Sequence, residues 1–559
     1  MIKKRIFDAT LLAVAFVAAL MLPVLILTYT EKNPLWVALA GVLLPFGFYT
    51  VFAALARHSG KMVWYGFIFI FFSAFQVVLS YLFGNSVVAS DMFLNLMTTN
   101  AGEATELLSN IYPAVILVFI VYLPLLWLAT IHIRKKIVLK DGVRHWMFAI
   151  GGVVFLVGCV VLVCGCRGDV KRVLRDEVFP VNASYNLGLA ISESHKINNY
   201  RQTSENFLYH AEHKPVANTR EVYVLVIGEA SRAASWQMYG YDRKTNPLLS
   251  KRDDIILYRQ ITTQSNTTHK SVPMILSSIH TSQHEELYCR TGLLAMFNEA
   301  GFTTCFISNQ QPQGAMIDHM ANDANFVMYM DAPYHDGQLV DAMRKALKEI
   351  RSQKVLFVLH TYGSHFSYHQ RYPRAFAQFL PDDDVAISKK NIDKIRNAYD
   401  NSVLYTDYVL NEIISTLEAE ENICSAMYYC ADHGEDLLDT KEERFLHSSP
   451  TTTYYQLHVA SLAWFSPKYK ELYTDKVAAA KDNENAPATT YSVFHTMADM
   501  ASVTSPYVNV RASLFSPEFD YSARRYYLSD HNEAVVLDKN IGIDESQQAI
   551  FTHAGVELR

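Results

Sequence analysis

Residues 222–232 read VYVLVIGEASR: an unbroken apolar run from Val222 to Ile227, closed by Gly228 and followed at once by the carboxylate of Glu229. So short a run, continuously apolar rather than alternating, is what a strand buried on both faces of a parallel sheet looks like. The pattern recurs at 256–263 (ILYRQITT), 303–309 (TTCFISN), 354–361 (KVLFVLHT), 425–432 (SAMYYCAD) and 460–467 (ASLAWFSP), with helical stretches such as 341–352 and 389–418 between. Buried strands alternating with helices indicate an α/β sandwich with a largely parallel central sheet, and residues 218–559 read as that domain.

Sites in open α/β sheets form at the carboxyl ends of strands. Four of these strands run into polar fragments there: Glu229, the stretch Thr262 to Thr268 leading into SNTTHKSVP, HTYGSH at 360–365, and ADHGED at 431–436. Zinc takes about four ligands from imidazole, carboxylate and thiolate, and a catalytic site keeps one position for the reacting oxygen. Glu229, Asp432 and His433 supply three such ligands and leave the fourth position to the Thr268 hydroxyl. A threonine is a poor nucleophile at neutral pH, and a divalent cation favours its alkoxide while offsetting the charge of an incoming phosphodiester. Taken singly, Glu229 reads equally well as a cap or a solvated carboxylate, and 262–271 as a turn. ADHGED is more specific, because adjacent Asp and His at a strand end followed by Gly fit a tight turn facing one ion. His365 and His447, ordinary histidines by themselves, are candidates for binding the phosphate, protonating a leaving alkoxide, or holding a second metal.

The N-terminal part has a different composition. Apolar stretches at about 9–29, 35–56, 62–83, 113–133 and 146–166 are each near the ~20 residues that cross a bilayer as a helix. The first is long, contains Pro23, lacks a small-residue cleavage site and is followed by further spans, so it is expected to be retained. Lys3, Lys4, Arg5, Arg57, Lys61, Arg134, Lys135, Lys136, Lys140 and Arg144 fall in alternate loops, which puts the N-terminus in the cytoplasm and everything after about 168 outside. Residues 1–168 read as a five-span transmembrane anchor and 169–217 as a bridging linker with short helices. The anchor carries 12 Lys/Arg against 6 Asp/Glu and the remainder 37 against 49. An acidic soluble part excludes nucleic acid as the expected partner. The amphipathic loop at 84–112 is either an ordinary connecting helix or one wall of a lipid-headgroup site, with Thr99, Asn100 and Glu103 facing a zwitterionic amine. Cys164 and Cys166 read as packing residues, and whether Cys289, Cys305, Cys424 and Cys430 form a disulfide is open on spacing alone. Residues 478–490, AAAKDNENAPATT, read as a mobile surface loop.

With these pieces in order, namely the five-span anchor, VLVIGEASRAASWQMYGYDRKTNPLL, TTHKSVPM, HTYGSH, NAYDNSVLYTDYVL and ADHGE followed by FLH, the chain resembles the phosphoethanolamine transferases of Gram-negative inner membranes, which include the lipid A and colistin-resistance enzymes. The resemblance implies an alkaline-phosphatase/sulfatase-like soluble domain in the periplasm, zinc, and motif positions at Glu229, Thr268, Asp432 and His433, with His365 and His447 at substrate-binding or second-metal positions. The choice of Thr268 rests on counting back three residues from Ser271 of SVP, and on the sequence alone its neighbour Thr267 stays open. The family often has cysteine directly after SVP; Met274 stands here, which puts the family's disulfide pattern in doubt. The implied reaction moves phosphoethanolamine from phosphatidylethanolamine, through a phosphothreonine and with release of diacylglycerol, to a lipid or glycan acceptor such as lipid A or a core sugar.

Other readings remain open on the sequence. A phosphoglycerol transferase of the lipoteichoic-acid-synthase type, using phosphatidylglycerol, resembles the chain in its five spans, threonine and metal; HTYGSH and GYDRKTNP favour the phosphoethanolamine branch. A sulfatase would carry an arginine in its C/S-x-P-x-R motif, which SVPMI lacks. A degenerate sensor is the reading from outside enzymology, against which stands the complete set of ligand types. The acceptor, the number of metal ions and the oligomeric state are not legible, and acceptor selectivity is expected in loops such as 310–340, 366–390 and 470–490.

Overall fold

The computed structural model describes residues 8–31, 33–82, 87–98, 101–166, 168–385, 387–439, 444–450, 452–537 and 545–557, with the side chains of 98, 101–110, 545 and 546 left out. Apart from short segments, the chain divides into two compact units that meet in sequence between Ile191 and Ser192, inside the stretch read as a bridge.

The first unit is helical and forms a transmembrane domain. Helices α1 (Ala9–Thr30), α2 (Leu35–Ala54), the part of a longer helix from Ile111 to Arg134, and Asp141–Gly165 are each long and apolar enough to cross a membrane. The third expected span is a pair, Ser59–Tyr65 and Phe67–Leu82, bent by 60° at Gly66, so the described residues hold four straight spans, or five with the bent pair counted as one. Helix α2 packs along Asp141–Gly165 through the small residues Gly47, Gly151 and Gly158, which let the two backbones approach where lipid offers no hydrophobic drive. Arg57 pairs with Asp141 at 2.8 Å, so the second and fourth connecting loops, both basic, lie side by side. That is what a common side of the membrane requires.

The second unit is built on a seven-stranded sheet. We number its strands β1 (Glu221–Gly228), β2 (Ile255–Leu257), β3 (Thr303–Ser308), β4 (Phe326–Tyr329), β5 (Lys354–His360), β6 (Cys424–Ala431) and β7 (Ser461–Phe465), in the order β2-β7-β6-β1-β5-β3-β4. From β6 to β4 every pairing is parallel; β7 runs antiparallel to β6, and β2 antiparallel to β7. All eight residues of β1 and all eight of β6 are buried, which explains their unbroken apolar runs. The register pairs Gly228 with Ala431 and Ile227 with His360, so three neighbouring strands stop at one level. Glu229, Thr361 and Asp432 therefore emerge together at that edge.

Three expectations are corrected. ILYRQITT is not one strand: Ile255–Leu257 joins the main sheet, and Ile261–Thr262 pairs with Ala488–Thr489 in a separate two-stranded sheet. Edge strand β4 lies within 310–340, a region read as loop, because a four-residue strand carries too little pattern to stand out. Residues 478–490 are not an open loop: they hold the end of helix Thr474–Asp482, a 3₁₀ turn at Asn483–Asn485 and the strand Ala488–Thr489, with Asn483, Ala486 and Ala488 buried.

Candidate active site

Glu229 follows β1 directly, and the chain turns away at Ala230, a non-glycine residue at φ 51°. Its backbone is clamped by the HTYGSH loop, where the Ser364 N–H donates to the Glu229 carbonyl at 3.0 Å. Gly363 sits at φ 46°, and a Cβ there would lie 2.7 Å from the Glu229 carbonyl oxygen, so only glycine fits this close crossing. Beyond β6, Asp432 Oδ1 accepts from the backbone N–H groups of Ala230 (3.2 Å) and His433 (2.7 Å). Its Oδ2 is buried with no hydrogen-bond partner among the described residues, 3.4 Å from His433 Nε2. His433 Nδ1 lies 2.9 Å from the Gly434 carbonyl, which makes Nδ1 the donor and turns the Nε2 lone pair toward the cluster. Gly434 is needed here as well, since a Cβ would fall 2.0 Å from the Tyr455 carbonyl.

Thr268 arrives from a helix start rather than a strand end. Thr267 is the N-cap of helix Thr268–Ile275, and Thr268 opens its first turn, where the helix dipole favours negative charge. The Thr268 hydroxyl lies 3.0 Å from His433 Nε2 and 3.3 and 3.4 Å from the two Glu229 oxygens. The Thr267 hydroxyl instead lies 3.4 Å from Ser265 Oγ. Thr263 and Ser271 each donate to the Asp432 carbonyl at 2.5 Å, which staples the threonine loop to the end of β6.

Opposite stands a group that the sequence reading covered only in part. His447 Nδ1 contacts Glu435 Oε2 at 2.7 Å, and its ring lies 4.0 Å from that of His433. Glu435 also accepts from Tyr368 at 2.6 Å. His365 stacks on Tyr362 at 5.0 Å, and the Arg371 guanidinium lies over the Tyr362 ring, 4.0 Å from its centroid. Gln310 donates to Glu229 Oε2 (3.0 Å) and to the Thr361 carbonyl (2.9 Å). Glu435 was visible inside ADHGED as the acidic residue two positions past His433; Gln310 and Asp336, which accepts from the backbone N–H groups of Tyr362 and Gly363 at 2.7 and 2.9 Å, left no local signal. Thr99 and Asn100 lie outside the described residues, as does the side chain of Glu103, so their suggested headgroup role has no geometry here.

Burial dominates the electrostatics. It pushes Glu229 up to about 8, with Asp432 adding to the shift, and takes Asp432 and Glu435 to about 8 as well. The same burial depresses His433 and His447 to about 4 and holds His365 well below its ordinary value, helped by Arg371. Carboxylates and neutral imidazoles at this density, with one carboxylate oxygen left unpaired among the described residues, ask for a cation. Ligand atoms of Glu229, His433 and His447 lie within 4.8 Å of one another, and Asp432 Oδ2 lies 3.4 Å from His433 Nε2. This donor set of two carboxylates and two imidazoles suits zinc. It differs from the expected set in grouping His447, expected at a substrate-binding or second-metal position, with the residues that could hold an ion. All seven cysteines are free, so Met274 has no disulfide beside it.

The sulfatase family matches residues 221–503. The family described as phosphoethanolamine transferase EptA/EptB matches residues 46–194. The chain therefore belongs to the sulfatase family, whose match takes in half of it. It is similar to phosphoethanolamine transferase EptA of Salmonella typhimurium, 28% identical over 311 residues that cover 53% of this chain and 56% of that one. It is also similar to the Kdo(2)-lipid A phosphoethanolamine 7''-transferase of Escherichia coli, 28% identical over 353 residues, 60% of this chain and 61% of that one. The chain thus spans little more than half the length of these curated relatives. Among solved structures, the integral membrane lipooligosaccharide phosphoethanolamine transferase A of Neisseria meningitidis shares the fold with a TM-score of 0.70 at 20% identity, covering 91% of this chain and 96% of that one. The periplasmic domain of EptC from Escherichia coli, solved in complex with zinc, shares it with a TM-score of 0.53 at 22% identity over 59% of this chain and 95% of that one.

Proposed function

We propose that this chain transfers phosphoethanolamine from phosphatidylethanolamine to a lipid or glycan acceptor of the cell envelope, with Thr268 as nucleophile and a periplasmic soluble domain tied to the inner membrane with its N-terminus in the cytoplasm. The observation that carries the reading is the Thr268 hydroxyl at a helix start, 3.0 Å from His433 Nε2 and within 3.4 Å of both Glu229 oxygens. Glu229, Asp432, His433 and His447 would hold a zinc ion, which when bound stabilises the ionised hydroxyl and offsets the charge of a phosphodiester. The Thr268 oxygen attacks phosphorus, a P–O bond to diacylglycerol breaks, and the departing oxygen takes up a proton equal to the one Thr268 gave up. His365, its imidazole held neutral by burial and its Nδ1 buried without a partner among the described residues, is a group able to relay that proton. An acceptor oxygen then attacks the phosphothreonine and restores the threonine. A lipid donor does not diffuse to a free soluble enzyme, whereas a domain covalently joined to membrane spans meets it at the bilayer.

Mass spectrometry of envelope lipids and glycans from cells with and without the protein tests this. We expect one added phosphoethanolamine with the wild type and its loss, by a factor on the order of 10⁴ or more in rate, in Thr268→Ala. Headgroup-labelled phosphatidylethanolamine should label the protein, and labelled phosphatidylglycerol should not. The reverse labelling would assign a phosphoglycerol transferase, and full activity of Thr268→Ala would end the nucleophile assignment.

A further inference from the structure

His447 sits in an unusual piece of backbone. Its two neighbours, Leu446 at φ 65° and Ser448 at φ 64°, are both non-glycine residues in the left-handed region. Residues with a side chain seldom adopt that conformation, and a pair of them around one position persists only where the surroundings dictate it. The segment therefore needs fastening, and the fastening determines where the histidine stands.

Two buried amides supply it. The Asn266 carbonyl accepts the Ser448 N–H at 3.1 Å, and Asn266 Nδ2 donates to the Ser449 carbonyl at 2.9 Å. Gln456 Nε2 donates to the Leu446 carbonyl at 3.3 Å. Three backbone groups within two positions of His447 are thus held by Asn266 and Gln456. The two amides are also joined to each other, Asn266 Nδ2 to Gln456 Oε1 at 2.7 Å.

The direction of this chain of bonds is set at its far end. Asp436 accepts from Thr453 Oγ1 at 2.8 Å and from Gln456 Nε2 at 2.7 Å. A carboxylate there turns the Gln456 nitrogen toward itself and the Gln456 oxygen toward Asn266, which must in turn present its own nitrogen. Reversing either amide would set oxygen against oxygen. Asn266, Gln456 and Asp436 are all buried, so a donor removed from the chain leaves its acceptors unsatisfied.

Asn266 lies two positions before Thr268, on a loop with an anchor of its own. Thr263 and Ser271 tie that loop to the end of β6 through the Asp432 carbonyl. The part that depends on Asn266 is therefore the segment across from it, residues 446–449. Glu435 steadies the His447 ring at Nδ1, at 2.7 Å, but it does not set how far the histidine's backbone stands from the threonine loop.

We propose that Asn266 is a positioning residue for His447: its carbonyl and its amide fasten the strained 446–449 segment to the threonine loop and so set the histidine ring beside that of His433, 4.0 Å away. As a contribution to catalysis this rests on the transfer reading above, whereas the placement of His447 among the residues able to hold zinc is measurable without it. Zinc affinity, read on the full-length protein by competition against a chromophoric chelator, is compared for the wild type, Asn266→Asp, His447→Ala and the double variant. Asn266→Asp keeps the size of the side chain and removes its donor. It should weaken zinc binding about 10-fold in the wild-type background and less than about 2-fold where His447 is already alanine, because no histidine is left to position. Asn266→Ala, which removes the donor without adding a charge, should show the same pattern. A purely structural role would lower affinity and melting temperature alike in both backgrounds. An equal loss of affinity in the two backgrounds, or no loss with either substitution, therefore overturns the positioning. Diacylglycerol release from phosphatidylethanolamine by the wild type reports on the transfer reading alone: its absence beside a zinc effect that depends on His447 sinks the reaction and leaves the assignment of Asn266 standing.

Discussion

Glu229, Asp432 and His433 stand at the ends of two adjacent parallel strands, whereas Thr268, His365 and His447 are delivered by a helix start and two loops. In the first group, position is fixed by backbone ladders: seven register pairs join β1 to β5 and eight join β1 to β6. In the second, it is fixed by side chains holding side chains or loops, as Glu435 holds His447 and Asp336 holds the segment leading to His365. Damage to a ligand on the rigid side should therefore empty the site, and damage to a brace on the other side should leave the site filled but poorly arranged.

The largest effect is expected from the rigid side. Asp432→Asn removes a ligand charge and should lower zinc affinity by at least on the order of 10²-fold, with activity lost in parallel. Competition against a chromophoric chelator reads the affinity, and an unchanged value would move Asp432 out of the ion's reach. Glu435→Gln should act differently. It keeps the shape but weakens the brace on His447, so we expect zinc still bound, at an affinity reduced about 10-fold, and kcat lowered by about 10–100-fold. Equal losses for the two variants would erase the contrast between the halves.

The smallest effect is on stability. Glu229 and Asp432 have folded-state values near 8 against ordinary ones of 4.5 and 3.8, so in the metal-free protein their contribution is present at low pH and is lost as pH rises toward 8. The depressed histidines, near 4 against 6.5, work in the opposite sense and only below 6.5. Between pH 6.5 and 8 the carboxylates act alone, and the melting temperature of chelator-treated protein should fall with rising pH. Zinc-loaded protein should show a flatter dependence, because the cation keeps both carboxylates ionised; parallel curves for the two forms would contradict the shared site.

Much of this was legible in the chain. β1, β3, β5 and β6 announced themselves as short buried apolar runs, and the polar residue just past β1, β5 and β6 marked the edge where the site lies. The membrane helices were equally plain, because a span must be apolar along its whole length. Legibility failed where local pattern was weak: the apolar character of 256–263 hid a break between two sheets, and FVMY was too short to mark an edge strand. Glu435 was on view within ADHGED, yet its function as a brace depends on a histidine twelve positions away and on Tyr368 from another loop.

The sequence by itself determined two composition classes, the helices that suit a bilayer, the buried strands of the second unit and the identity of the donor groups at their ends, because solvent preference and backbone period are local properties of a chain. Only the tertiary structure decided that Thr268 rather than Thr267 turns toward His433 and Glu229, and that His447 joins them. Those facts depend on register between strands far apart in sequence and on loops crossing at single glycines, and no local pattern encodes such distances.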